Sequence, residues 1–276
     1  MRIFWLVAAQ AVFSRGMPRR LRIEYAGAMY HVTCRGVERR AIFRDDRDRR
    51  RFLDDLRQAT DDCGLRVFLY CLMPNHVHLV LETPLANLSR FMQKLETAYT
   101  VYFNLRHRRC GHLMQGRYGA QLVAGDTYLL RLTRYVHLNP VFVEALRDAP
   151  LQERRQALRA YRWSSYREYL GIVAPIGFLE TGPLLQLVGG SGIDRHRLYE
   201  QYVETGLAVT DDEFRALVHW PGGGIGSSEF REHVTGLYRA FDSRARSAED
   251  AAFRRTRHRK SVDEILKETA GAFDLA

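Results

Sequence analysis

Lysine is almost missing from this 276-residue chain: it occurs only at Lys94, Lys260 and Lys267, so arginine carries the formal net charge of +10. Guanidinium groups grip phosphate through a planar fork where ammonium groups act as point charges, so the bias points to a polyanionic partner such as nucleic acid. Cysteine is also sparse. Cys34, Cys63, Cys71 and Cys110 form no CxxC pair and no regular spacing, which argues against a zinc knuckle or a disulfide framework and fits a reducing cytoplasm. Internal repeats are absent. No apolar run is long enough to span a bilayer, and no membrane partner is expected. The longest near the start, Ile3 to Ala9, sits in "MRIFWLVAAQAVFSRG" ahead of Met17 and "PRRLR". Met17 reads as a second natural start, so residues 1–16 are taken as an N-terminal extension and not as a signal peptide.

What is present suits a folded core, with 46% hydrophobic residues. "AMYHVTCR" (Ala28 to Arg35) alternates like a half-buried strand, and "DRDRRRFLDDLRQATDDCG" then runs with helical period from an acidic start to a glycine stop. "RVFLYCLM" and "HVHLVLE" read as strands joined across Pro74-Asn75. A long amphipathic helix capped by Asn87 or Ser89 follows, then a short strand in "GRYGAQLV" and a helix capped by Asp126 and stopped by Pro140. The order βαββαβα predicts an α+β fold: a ferredoxin-like, RRM-like antiparallel sheet with helices on one face and the other face free for a site. "YRWSSYREYLG" should pack back on that core. Residues 172–276 read as a smaller α-helical C-terminal region, punctuated by glycine and proline and carrying the basic run "RRTRHRK" (Arg254 to Lys260).

The stretch "CLMPNHVHLVLETP" raises a chemical question, because one apolar strand carries two histidines separated by a single valine. Alternation puts His76, His78, Val80 and Glu82 on one face and Val77, Leu79 and Leu81 on the other. The apolar set has helices to pack against. The imidazoles then lie on the open face about 7 Å apart at Cα, close enough to share a metal ion. Two ligands do not complete a site. Glu82 lies on the same face with poor reach, His112 falls on a loop, and Asn139 follows Tyr135 by one helical turn, so that phenol and amide share a side of their helix.

"MPNHVHLVLE" followed by "RYVHLNPV", with "MYHVTCRG" upstream and "GHLMQGRY" between, resembles the REP-associated branch of the single-tyrosine HUH transposases. The likeness runs from about Met17 to Gly171, so residues 17–171 are expected to form the catalytic domain. It implies Tyr135 as a nucleophile on DNA, with His76, His78 and Asn139 holding Mg²⁺ or Mn²⁺. Related transposases often carry glutamine where Asn139 stands. The implied activity is metal-dependent nicking and rejoining of single-stranded or hairpin DNA through a 5′-phosphotyrosine, by a cytoplasmic monomer or homodimer. A tyrosine ester keeps the energy of the broken phosphodiester, so the residue types suit reversible cutting. Arg35, Arg39, Arg40, Arg106, Arg108, Arg109 and Arg117 flank the expected site and are candidates for phosphate contacts.

Competing readings are fewer. His76-x-His78-x3-Glu82 fits a cupin metal motif, but Tyr70 and Ser89 stand where the framing glycines of that barrel belong. A domesticated, non-catalytic hairpin-binding protein would need none of the four chemical residues, and all are there. Tyr99 and Tyr102, on the long helix, are rival nucleophiles.

Overall fold

The computed structural model describes residues 23–146, 148–220 and 223–240. The extension 1–16, the second start at Met17 and the basic run Arg254 to Lys260 with the short piece after it lie outside the described residues. Glu24–Thr235 form one compact unit.

Strands β1 (Ala28–Arg35), β2 (Arg66–Met73), β3 (His76–Thr83) and β4 (Gly119–Val123) pair antiparallel, and a two-residue strand β5 (Gly224–Ile225) adds parallel to β4. The sheet order is β2-β3-β1-β4-β5. The sheet is thus mixed and not purely antiparallel, because the C-terminal region returns to extend its edge. Helix α1 (Asp46–Cys63) begins where the Asp45 carboxylate accepts from the Arg47 and Asp48 amides, and it ends at Gly64 in the left-handed region (φ 61°). It packs against α2 (Leu88–Arg106). Val77, Leu79 and Leu81 are fully buried on one side of β3, as the alternation predicts.

The other face is not left free. Leu69, Cys71 and Val80 of the sheet share a core with Leu129, Leu132 and Val136 of α3 (Gly125–Leu138) and with residues of the C-terminal helices. Those helices are α4 (Leu151–Ala160), α5 (Tyr166–Tyr169), α6 (Gly182–Gln186), α7 (Ile193–Ala208) and α8 (Asp212–Val218). Helices therefore cover both faces, which corrects the one-sided expectation. The strands say why: β2 is apolar at every position after Arg66 and β3 carries Val80 on the histidine face, so burying a single face would leave Leu69, Cys71 and Val80 in water.

The boundary drawn after Gly171 marks no break in packing either. Tyr199, Val203 and Leu207 of α7 lie in the α3 core, and Gly206 lets the two helices close up. A Cβ there would stand 2.6 Å from Leu138 Cδ1. α3 itself starts one residue before the expected Asp126 cap, with Ala124 at the N-cap and no side-chain hydrogen bond.

One loop sets the end of the sheet that matters most. After β1 the chain turns through Gly36 to Arg40, whose carbonyl would lie 2.2 Å from any Cβ at position 36. The Gly36 amide donates to the Asn75 carbonyl at 2.9 Å, and Asn75 Nδ2 donates to the Arg39 carbonyl at 3.0 Å. These bonds tie the β2–β3 turn to the end of β1. Arg35 and His76 are consequently opposite one another.

Candidate active site

At that end of the sheet a cavity of about 510 Å³ opens between β1, β3, β4, α3 and α8. His31, His76, His78, Tyr135, Asn139 and His219 all line it, with Arg35, Arg117 and Arg215. None of its lining residues, among the described residues, is an aspartate or glutamate. A cavity with three guanidinium groups and no carboxylate is built for an anion.

The sheet register delivers the histidines. His76 pairs with Arg35 and His78 with Thr33 across the β1–β3 ladder, and His31, two residues before Thr33, projects on the same face. The rings of His76 and His78 lie 4.9 Å apart at 80° to each other. His31 Nε2 and His78 Nδ1 are 2.9 Å apart, with ring planes parallel within 3°. His76 Nδ1 meets Asn75 Oδ1 at 2.7 Å; an amide oxygen only accepts, so Nδ1 carries the proton and Nε2 the lone pair. Burial pushes His76 and His31 down to about 4, and pushes His78 well below the ordinary histidine range with the charges of His31 and His76 adding to the effect. All three are neutral near pH 7. A neutral imidazole is the form that binds a metal.

Helix α3 brings the other pair. Tyr135 presents its ring edge-on to His78 at 6.0 Å, to His31 at 6.2 Å and to His219 at 6.4 Å between centroids. Asn139, one turn on, donates through Nδ2 to the Tyr135 carbonyl at 2.8 Å, so Oδ1 is the atom it can offer to a partner. The phenol is half-buried; desolvation raises its pKa, while Arg215 and Arg35 act in the opposite sense.

The rival nucleophiles lie elsewhere. Tyr99 is fully buried, donates to the Ile42 carbonyl at 2.6 Å and packs on Phe52 and Phe43; neither it nor Tyr102 lines the cavity. Glu82 is held by Arg66 at 2.7 Å near the far end of β3, and His112 is exposed outside the cavity.

The candidate arginines divide. Arg35 and Arg117 line the cavity. Arg106 does not, because it is ion-paired to Asp45 at 2.6 Å and to the buried Asp48. Arg40 pairs with Glu38 at 2.6 Å, and Arg109 lies 5.6 Å over the Phe103 ring. Arg39 is exposed in the turn after β1, with its backbone carbonyl taken by Asn75, and Arg108 is likewise exposed; neither lines the cavity. Sequence reasoning missed His31, Gln121, Arg215 and His219. The first was visible in the alternation of "YHVTCR"; the last two come from α8 and its C-cap, in a segment with no period linking it to the sheet.

His78 Nε2 is buried and has no hydrogen-bond partner, an arrangement that costs stability unless something occupies it. With His76 Nε2 and Asn139 Oδ1 it gives a mixed nitrogen and oxygen donor set. Three such donors could hold a divalent cation and leave positions open for phosphate oxygens. Among the described residues, no three His, Cys, Asp or Glu side chains converge as a ligand set, and His31 Nε2 is engaged with His78 Nδ1.

Residues 24–139 match the family model described as "Transposase IS200 like". No curated protein matches the chain. Among solved structures, it is similar to a REP-associated tyrosine transposase bound to a REP hairpin, at 12% identity over 64% of this chain and 93% of that one, with a TM-score of 0.48. It is also similar to a putative transposase from Deinococcus radiodurans R1, at 21% identity over 43% and 95% of the two chains, with a TM-score of 0.32. No helix among the described residues is long and apolar enough to cross a membrane.

Proposed function

Because residues 24–139 match the IS200-like transposase family, we propose that this chain nicks and rejoins single-stranded DNA beside hairpins, using Tyr135 as the nucleophile. The observation that carries the reading is the convergence of His76, His78, Tyr135 and Asn139 on one cavity without carboxylates. His76 and His78 lie on β3, Tyr135 on α3 and Asn139 at the C-cap of that helix, which begins more than forty residues after the strand ends, and all four line the cavity.

In the proposed reaction the Tyr135 oxygen attacks the scissile phosphorus. The Oη–P bond forms as the P–O3′ bond breaks; the phenol gives up its proton and the departing 3′ oxygen takes one up. The products are a 5′-phosphotyrosine and a free 3′-hydroxyl, and attack by a 3′-hydroxyl on the ester reverses the step. A Mg²⁺ or Mn²⁺ ion held by His76, His78 and Asn139 would polarise the phosphate and offset charge on the leaving oxygen. Arg35, Arg117 and Arg215 would hold the non-bridging oxygens and the flanking backbone. Burial holds the phenol in its protonated form, and the guanidinium groups of Arg215 and Arg35 act in the opposite sense, favouring the phenolate that attacks.

The test is direct. Incubated with Mn²⁺ and hairpin oligonucleotides from the flanking genome, the wild-type chain should form an adduct that survives denaturing electrophoresis. Tyr135→Phe should form none while binding the same oligonucleotide within about twofold. Binding without any adduct from the wild type would leave a non-catalytic hairpin-binding protein.

A further inference from the structure

His31 has no role in the chemistry above, yet its Nε2 lies 2.9 Å from Nδ1 of the proposed ligand His78. Two neutral imidazoles joined Nε2 to Nδ1 share their proton in one of two ways. If His31 donates, His78 keeps its own proton on Nε2, aimed at the cavity, and cannot bind a cation. If His78 donates from Nδ1, its Nε2 shows a lone pair to the cavity. The ring that accepts then holds its own proton on Nδ1.

We propose that His31 is a positioning residue: it accepts the Nδ1–H of His78 and so holds His78 in the tautomer whose Nε2 takes a divalent cation. The inference rests on the reading of His78 as a ligand. One observation leaves the direction open and two support this one. His78 Nε2 and His31 Nδ1 are both buried without a hydrogen-bond partner, so the protons of this pair are not fixed by any other bond. Gln121 stands directly opposite His31 on β4, and its Nε2 donates to the Trp220 carbonyl at 3.3 Å, which leaves its Oε1 as the end able to receive an N–H from His31. His76 shows the same arrangement independently, since Asn75 Oδ1 fixes its proton on Nδ1 and its lone pair on Nε2. Ligand histidines in metal sites are held this way, with the far nitrogen donating to an acceptor.

Two measurements on the full chain test it. In the ¹⁵N-histidine spectrum of the metal-free wild type, His78 should carry its proton on Nδ1. Mn²⁺ affinity, read by titration without DNA, should fall about tenfold or more in His31→Leu. In that variant His78 should shift toward the Nε2–H tautomer, which free imidazole side chains prefer. His31→Gln supplies an amide oxygen as acceptor and should return the affinity to within about threefold of wild type. A wild-type His78 protonated on Nε2, or a His31→Leu chain that binds Mn²⁺ as tightly as wild type, overturns the proposal. Should His31→Leu fail to fold, the wild-type tautomer decides alone. A wild type that binds Mn²⁺ but forms no Tyr135 adduct sinks the nicking reading and leaves this one standing; one that binds no Mn²⁺ sinks the ligand role of His78 and this proposal with it.

Discussion

Two groups of buried histidines meet the same physical problem in opposite ways. His137, on α3 and fully buried, has a partner on each nitrogen: Ser165 Oγ at 3.0 Å and Tyr199 OH at 2.8 Å. His31 and His78, also buried, share a single bond and leave one nitrogen each without a partner. An unsatisfied buried polar atom costs about 1–3 kcal/mol. The first arrangement holds three elements together at no such cost. The second keeps the cost, and it does so at the wall of a cavity that Tyr135 and Asn139 also line. Among these three histidines, full satisfaction goes with the architecture and incomplete satisfaction with the cavity wall.

That contrast breaks most readily at His76, which touches the cavity but no core. His76→Ala should cut adduct formation by about a hundredfold or more and barely move the thermal midpoint, measured by gel assay and by melting. A comparable loss of stability would make His76 architectural and erase the distinction. The mirror experiment is His137→Ala. It leaves Ser165 Oγ and Tyr199 OH short of a partner and opens a void between α3, α5 and α7, so unfolding in denaturant should cost about 3 kcal/mol. The protein that remains folded should still form the adduct.

The sequence carried this contrast only in part. The strands were legible because alternation in "AMYHVTCR" and "HVHLVLE" sets which face each side chain takes, and the spacing of Tyr135 and Asn139 placed them on one side of a helix. What covers the second face was not legible. "RVFLYCLM" is apolar at every position after Arg66, and only the returning C-terminal helices reveal that both of its sides are buried. His137 sits two residues from Tyr135 in the same motif, and nothing local separates the core imidazole from a site residue; its partners come from α7 and from the start of α5. Arg215 escaped notice for the same reason, since its place in the cavity is fixed by tertiary packing of α8.

Acid should sharpen the comparison at a smaller scale. Burial depresses His137 to about 3 and His31 and His76 to about 4, against 6.5 for an unhindered histidine. The unfolded chain therefore binds protons that the folded chain refuses. Stability is fully present above about 6.5, falls as pH drops from there to about 4 for the His31 and His76 contributions, and continues to fall to about 3 for His137. The slope of unfolding free energy against pH between 6 and 4 should be shallower in His137→Gln than in wild type. An unchanged slope would mean that His137 is charged in the folded protein.

The smallest effect concerns the arginines, where the same division recurs between groups satisfied inside the fold and groups turned to the cavity. Arg106 spends its charge on Asp45 and Asp48, and Asp48 also receives His107 at 2.9 Å and the Arg44 amide at 2.8 Å. Arg35 is exposed at the cavity mouth. A guanidinium that contacts a phosphate releases counterions when DNA binds, whereas one already neutralised by carboxylates releases none. Arg35→Ala should thus reduce the slope of log affinity against log salt for single-stranded DNA by about 1. Arg106→Ala should lower the melting temperature and leave that slope alone. If the two variants changed the slope equally, the ion pairs of Arg106 would have to open on binding, and the carboxylates of α1 would belong to the nucleic-acid surface.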